Sequence, residues 1–155
     1  MSIWWSLHLQ REAASVPLAR RLLLGAMEAA GVDPDVCFEL SLALSEACAN
    51  AVEHGGSEPA GGYWVTAYIR GDVCRIEVTD TGPGFPGGRR GRSRCSAAQP
   101  VLPAPSTAGQ ESGRGLFLIE ALADHVRFRN RPGSGAVVTF DKILKWREGA
   151  LLRAG

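Results

Sequence analysis

The chain has 155 residues, of which 45% are hydrophobic and 21% charged, and this size and composition are those of a single soluble globular domain. Its net charge of +1 at pH 7 excludes a global field that would favour nucleic acid or an anionic membrane. The sequence contains no apolar run of roughly 18 residues that could span a membrane, and its start lacks the basic and apolar regions of a signal peptide.

Four cysteines occur, at positions 37, 48, 74 and 95, and none forms a Cys-x-x-Cys pair. This spacing argues against a zinc site or a dithiol redox motif. Cys37 and Cys48 fall on the apolar side of a predicted helix, and Cys74 falls in a predicted strand. We interpret these three residues as small core side chains of a reduced, cytoplasmic protein.

Apolar periodicity and turn signals predict an alternation of strands and helices. In chain order, the predicted elements are a strand Trp4–Gln10, a helix Leu18–Ala30, a helix from Pro34 to about His54, a hairpin of strands Tyr63–Arg70 and Val73–Asp80, a helix from Gly113 to about His125, and strands Val126–Asn130 and Ala136–Lys142. Asp33 and Pro34 suit the N-cap and the first position of the second helix. The order predicts an α+β fold: a two-layer α/β sandwich with a mixed, mostly antiparallel sheet and helices on one face.

The periodicity is lost from Pro86 to Ser112, a segment rich in Pro, Gly, Arg and Ser. A loop of this length inside a domain is usually disordered or a functional lid. We therefore predict one domain over residues 1–142 with a flexible lid at about 86–112, and a short tail, helical or frayed, over 143–155. For the basic run from Arg89 to Arg94, a solvated lid is favoured over a docking surface for an acidic protein. Nucleic acid comes last, because no aromatic residues interleave.

Glu46 and Asn50 lie one turn apart on the second predicted helix, in a narrow polar arc with Glu39 and Glu53. Taken alone, such an arc is most simply the solvated side of an amphipathic helix. Asn is a poor helix former, however, and Asn50 lies inside the helix between two alanines. An Asn oxygen can bind Mg²⁺, and a Glu can orient or deprotonate a nucleophile.

Two glycine-rich segments follow the hairpin and the loop. Asp80 ends a strand, where a partly buried carboxylate needs a donor such as the adenine amine, and the glycines after it let the backbone approach a flat ring. Gly113-Arg-Gly115 opens a helix whose free N–H groups favour phosphates, with Arg114 as a further contact. Each segment by itself also matches an ordinary turn or helix start. Neither is a Walker A loop.

Taken together and in this order, the motifs resemble the nucleotide-binding boxes of the GHKL superfamily, the ATP-binding Bergerat fold of gyrase, heat-shock chaperones, histidine kinases and mismatch-repair ATPases. The matches are Glu46-x-x-x-Asn50 to the N box, Asp80-x-Gly82-x-Gly84 to the first glycine box, and Gly113-x-Gly115 to the second. The small size and the form Glu46-Ala-x-x-Asn50-Ala-x-x-His54 most resemble bacterial anti-sigma factor serine/threonine kinases. The resemblance extends from about Trp5 to Lys142.

This resemblance implies a role for each matching residue. Glu46 is the expected general base toward a serine of an anti-anti-sigma partner, Asn50 the ligand of Mg²⁺ bridging the ATP phosphates, and Asp80 the acceptor for the adenine amine. The other expected nucleotide contacts are Gly82, Gly84, Gly113, Arg114, Gly115, Leu116 and Thr139. The sequence departs from the family in its long lid and in having Gln110-Glu111-Ser112 where some members place an arginine.

The function implied is that of an ATP-dependent serine/threonine kinase that phosphorylates an anti-anti-sigma factor and regulates a sigma factor. The resemblance implies no direct contact with nucleic acid or membrane, and it allows a homodimer. One alternative is a binding module that uses ATP only to set its shape. Another is a stand-alone histidine-kinase-type ATPase domain, which is disfavoured because no phosphoacceptor region precedes the domain.

Overall fold

The computed structural model describes residues 2–54, 61–80, 92–94, 110–130 and 135–150. The elements within these ranges are β1 (Ser2–Leu9), α1 (Ser15–Ala30), α2 (Pro34–His54), β2 (Tyr63–Arg70), β3 (Val73–Asp80), β4 (Arg92–Arg94), α3 (Gln110–Leu122), β5 (His125–Asn130) and β6 (Ala136–Ile143). No helix within these ranges is long and apolar enough to cross a membrane.

The strands form one sheet in the order β1-β2-β3-β6-β5-β4. Every strand pairing that the structure describes is antiparallel. Helix α2 packs between α1 and α3 and lies over β3 and β6, while α3 contacts β5. The predicted α+β fold, a mostly antiparallel sheet covered by helices on one face, is confirmed.

One face of the sheet is buried under the helices, because alternate strand residues are apolar. The buried positions of β2 and β3 are Tyr63, Val65, Ala67, Ile69, Cys74, Ile76 and Val78. They pack against helix residues such as Leu23, Leu40 and Ile119. Cys37, Cys48 and Cys74 are free, buried thiols, in agreement with their interpretation as core residues, and Cys95 lies outside the described residues.

The bounds of α2 agree with the prediction, because their signals are local. The carboxylate of Asp33 accepts a hydrogen bond from the Asp35 N–H at 3.1 Å, as an N-cap should. Helix α3 differs, since it begins at Gln110 instead of Gly113. Gln and Glu are good helix formers, whereas each glycine weakens a helix by about 1 kcal/mol. The helix therefore includes the residues that were assigned to the end of the lid.

The C-terminal segment 144–150 is an irregular strap, so the described part of the tail contains no helix, which was one of the two alternatives predicted for it. The Asp33 N–H donates to the Lys145 carbonyl and the Arg147 N–H to the Gly31 carbonyl, both at 2.7 Å. Trp146 forms an isolated bridge with Val32. The segment thus fastens the turn between α1 and α2, and its partners lie too far away in the sequence to leave a local pattern.

Candidate functional site

The first group of candidate residues lies on a half-buried border of α2. Glu46 and Asn50 are both half-buried, next to the fully buried Ala47 and Cys48. The Asn50 Nδ2 atom is buried and has no hydrogen-bond partner among the described residues. Leaving a buried polar group unpaired costs about 1–3 kcal/mol, so this N–H group does not stabilise the described part of the fold.

A buried amide nitrogen without a protein partner is typical of a ligand-binding site and unusual in a packed core. If its nitrogen faces the ligand, the Asn50 amide can donate to a phosphate oxygen. Rotated by half a turn, it presents a carbonyl oxygen of the kind that Mg²⁺ prefers. The donor set at this position is therefore compatible with a magnesium–nucleotide ligand.

The second group is centred on Asp80, the last residue of β3. Its side chain is only 7% exposed and shares a strand face with Ile76 and Val78. The Oδ1 atom accepts a hydrogen bond from the Ala136 N–H at 3.0 Å. This contact fixes the carboxylate in one orientation at the edge of the core.

Gly135 also contacts Asp80 closely. Its φ is +75°, a conformation that favours glycine. A Cβ atom there would overlap the Asp80 carbonyl oxygen and lie 2.9 Å from Oδ1. Neither Gly135 nor Ala136 was predicted from the sequence to belong to the site. The available signal was the glycine immediately before a strand, which marks a close approach of two backbones.

Tyr63 connects the two groups. In the sheet it pairs with Asp80, and its fully buried side chain belongs to the same core cluster as Cys48, which lies between Glu46 and Asn50 on α2. Burial raises the pKa of Cys48 to about 12 and also raises the pKa of Tyr63, so both groups stay protonated at neutral pH. Helix α2, which carries Glu46 and Asn50, packs directly on β3, which ends in Asp80.

The structure describes the glycine segments only in part. Gly82 and Gly84 lie outside the described residues. Gly113, Arg114 and Gly115 lie in the first two turns of α3, and Leu116 is half-buried against the core. Since a helix leaves its first four N–H groups without an intrahelical partner, Gly113 still belongs to the anion-binding end. Gly115 lies one turn further in than the sequence suggested.

Thr139 is not brought together with Asp80. It lies on the opposite face of the sheet, where its Oγ1 donates to Glu77 Oε2 at 3.4 Å, while its neighbour Phe140 is fully buried. Side chains alternate between the two faces along a strand, so choosing a residue an odd number of positions away selects a side chain on the opposite face of the sheet. The position opposite Asp80 at the start of β6 is occupied by Ala136, and we leave Thr139 out of the proposed pocket.

Comparison with known proteins identifies the family of the chain and several relatives. A family model described as a histidine kinase-like ATPase domain matches residues 9–142. The serine-protein kinase RsbW of Bacillus subtilis (strain 168) is 33% identical over 132 residues, which cover 83% of this chain and 78% of that protein. The anti-sigma F factor of Anoxybacillus flavithermus is 27% identical over 141 residues, covering 89% of this chain and 92% of that one.

A solved structure shares the fold. The crystal structure of the RsbU and RsbW domains of Rv1364c from Mycobacterium tuberculosis superimposes with a TM-score of 0.65 at 23% sequence identity. The match covers 94% of this chain but only 34% of that longer one. At this level of identity the likeness concerns the fold alone.

Proposed function

We propose, since this chain belongs to the histidine kinase-like ATPase domain family, that it is an ATP-dependent serine/threonine protein kinase of the anti-sigma type. It would phosphorylate an anti-anti-sigma protein and thereby control a sigma factor. Relatives named as a serine-protein kinase and as an anti-sigma factor match over most of their length and support this. The structural observation that carries the proposal is the buried Nδ2 atom of Asn50, which has no hydrogen-bond partner among the described residues, on a helix that packs directly on the strand of Asp80.

Asp80 is proposed to recognise the base. A buried carboxylate held by the Ala136 N–H is a rigid acceptor for an exocyclic amine such as that of adenine. Gly82, Gly84, Gly113, Arg114, Gly115 and Leu116 are retained as proposed nucleotide contacts. The lid predicted at about 86–112, in which the structure describes β4 and the first residues of α3, the single domain over 1–142 and the cytoplasmic location also remain proposals.

Asn50 is proposed to hold Mg²⁺ together with phosphate oxygens of the nucleotide, as Mg²⁺ sites in such enzymes commonly do. The bound ion would neutralise charge on the transferred phosphoryl group. Glu46, one turn away, is proposed to accept the proton of the partner's serine hydroxyl. The serine oxygen then forms a bond to the γ-phosphorus, the bond to the β-phosphate oxygen breaks, and ADP leaves.

Calorimetry on Asp80→Asn tests the nucleotide assignment. The Ala136 N–H would keep the amide oxygen of the new Asn toward itself, which places an NH₂ donor where wild type has a carboxylate oxygen. We expect ATP affinity to fall roughly 10- to 100-fold, as loss of a charged hydrogen bond predicts. Affinity for ITP, which carries a carbonyl in place of the amine, should fall much less.

The matched control is Glu77→Gln, the same chemical change on the same strand but on the opposite face. It should leave the affinity for both nucleotides unchanged. Equal ATP affinity in Asp80→Asn and wild type would exclude Asp80 from base recognition. Transfer itself is tested with labelled ATP and candidate anti-anti-sigma proteins, and binding without any labelling of a partner serine would favour the non-catalytic module.

A further inference from the structure

Four arginines lie on the two strands at one edge of the sheet. Part of the basic run, Arg92–Arg94, forms β4, which is the edge strand and pairs antiparallel with β5. Neither strand contains an acidic residue, since their sequences are Arg-Ser-Arg and His-Val-Arg-Phe-Arg-Asn. Because the whole chain has a net charge of only +1, these two strands are a local concentration of positive charge.

The arginines of β5 are exposed on the face of the sheet opposite the helices. Exposed and buried residues alternate along this strand: Arg127 and Arg129 are exposed, whereas Val126 and Phe128 belong to the core. Two residues along an extended strand span about 6.7 Å. The two guanidinium groups therefore start from one strand face at a fixed and short spacing.

No acidic side chain among the described residues neutralises these two arginines. Arg127 and Arg129 form no ion pair within that part of the chain, and their cross-strand partners on β6 are a threonine and a valine. The only carboxylate of β6, Asp141, is already bound by Arg75 at 2.6 and 2.9 Å. Both positive charges of β5 are therefore available to a ligand.

The chemistry of this surface favours a ligand with carboxylates. A guanidinium group binds a carboxylate through two parallel hydrogen bonds, and arginine is enriched in protein–protein interfaces. Carboxylates on alternate residues of an extended peptide repeat at about 6.7 Å, which is the spacing of Arg127 and Arg129.

Single-stranded nucleic acid is less well matched, because its bases stack on aromatic side chains. The exposed tryptophans of the sheet, Trp4 and Trp64, lie on β1 and β2, toward the opposite edge, and Phe128 of β5 is buried. The edge formed by β4 and β5 thus offers charge without an exposed aromatic residue among those described.

We propose that β4 and the exposed residues of β5, here called the basic edge, form a docking surface for an extended acidic segment of a partner protein. Carboxylates on alternate residues of that segment bind Arg127 and Arg129. This goes beyond the proposed function, which requires protein partners but assigns no surface to them. The basic edge lies on the face of the sheet opposite α2, so docking there needs no nucleotide.

Fluorescence anisotropy with labelled probes tests this docking. The acidic probe is a peptide that repeats Glu-Thr five times, compared with a neutral peptide of Gln-Thr repeats and with an oligothymidylate of the same charge. We expect the acidic peptide to bind, with an affinity that falls as salt is raised, and the neutral peptide not to bind. Tighter binding of the oligothymidylate than of the acidic peptide would overturn the proposal in favour of nucleic acid.

Matched charge reversals locate the site. Arg127→Glu should weaken binding of the acidic peptide about five- to tenfold, because it loses an ion pair worth up to about fivefold and adds repulsion. Arg70→Glu makes the same change at an exposed arginine of the same sheet face, on β2, and should stay within about twofold of wild type. Arg127→Gln combined with Arg129→Gln removes both charges without reversal and should weaken binding severalfold, even if the reversed variant fails to fold.

Three results would contradict the proposal. Wild type that does not bind the acidic peptide would exclude the site, and equal losses in Arg127→Glu and Arg70→Glu would mean unspecific attraction to any positive charge. A double Gln variant that keeps its affinity but self-associates in sedimentation would show that the arginines only prevent pairing of sheet edges. Mg-ATP binding is measured separately, so the proposed function can fail while docking holds, and the reverse.

Discussion

Glu46 and Asn50 occupy the same side of α2, and only their spacing could be seen in the sequence. The four-residue interval predicts that they share a helix face. That the Asn50 amide is both buried and unpaired depends on which elements pack around it, and no local pattern contains that information. The residue pair was therefore predictable, but the observation that separates a site from a solvated stripe was not.

Substituting Glu46 by Gln tests its role as a base while keeping its shape. We expect transfer to fall roughly 10²- to 10⁴-fold, the usual contribution of a positioned base, because an amide cannot take the serine proton. The affinity for Mg-ATP should stay within about twofold, since Glu46 acts on the partner hydroxyl. Single-turnover transfer and calorimetry measure the two quantities.

Glu39→Gln is the control, because Glu39 lies in the same polar arc but forms an ion pair with Lys142. It should transfer phosphate at nearly the wild-type rate. A Glu46→Gln protein as fast as wild type would show that another group, or water, accepts the proton.

Thr139 and Gly135 show why the residues around Asp80 could not be predicted correctly from the sequence. A threonine in a strand matches the family pattern by residue type, but its face is set by the pairing of β6 with β3, a contact between segments about 60 residues apart. Gly135 carries the more informative signal, a glycine directly before a strand. Its close contact with Asp80 becomes visible only once both strands are in register.

Helix α3 is anchored at its C-terminal end. Lys142 of β6, whose side chain is 15% exposed, places Nζ 2.6 Å from the Leu122 carbonyl and 2.5 Å from Glu39 Oε2 on α2. A cation at this end also complements the helix dipole. The end of α3 that carries Gly113 and Gly115 lies opposite this anchor, so the helix is held at the end remote from the proposed phosphate contacts.

Lys142→Met should lower the free energy of unfolding by about 1–3 kcal/mol, because it leaves the Leu122 carbonyl without its charged donor. Methionine keeps the apolar stem, so packing changes little. Urea unfolding followed by circular dichroism gives the difference. Arg75→Met is the comparison, since its ion pair with Asp141 is on the exposed face of the sheet and such pairs contribute less than about 1 kcal/mol. Equal losses in the two variants would mean that Lys142 is no anchor.

Some elements are determined by residues close in the sequence, and others by contacts with distant residues. Helix α2 and the β2–β3 hairpin have caps and turns within a few residues, and their bounds were predicted from the sequence. The strap over 144–150 depends on contacts such as Arg147 with Gly31, more than 100 residues away. Only tertiary packing decides that segment.

At the scale of the whole molecule, the buried thiols make stability depend on alkaline pH. Burial raises the pKa of Cys48 and of Cys74 to about 12 from a usual value of 9.0. Because the folded state keeps these protons longer than the unfolded state, their contribution is complete below pH 9 and is lost as the pH rises toward 12. Above pH 9 we expect a decline of about 1.4 kcal/mol per pH unit for each thiol.

Urea unfolding of wild type and Cys74→Ala, from about pH 8 to about pH 10.5, measures this slope. The variant should be less stable at every pH, with a shallower decline by the share of one thiol. Identical slopes would mean that Cys74 does not titrate differently in the two states. Exposed lysines and arginines provide a common background in both proteins, so the difference isolates the buried group.

Asp80 and Asn50, on the two sides of the proposed pocket, have opposite effects on the stability of the fold. Asp80 holds the start of β6 through Ala136, so losing it weakens the sheet even with no ligand present. Asn50 has a buried Nδ2 atom with no partner among the residues that the structure describes, in a helix that alanine would favour, so we expect its loss to stabilise the fold. Random mutation would therefore remove the proposed phosphate contact of Asn50 more readily than the proposed base contact of Asp80. A lineage freed from selection for transfer would drift toward a more stable pseudokinase that still binds adenine.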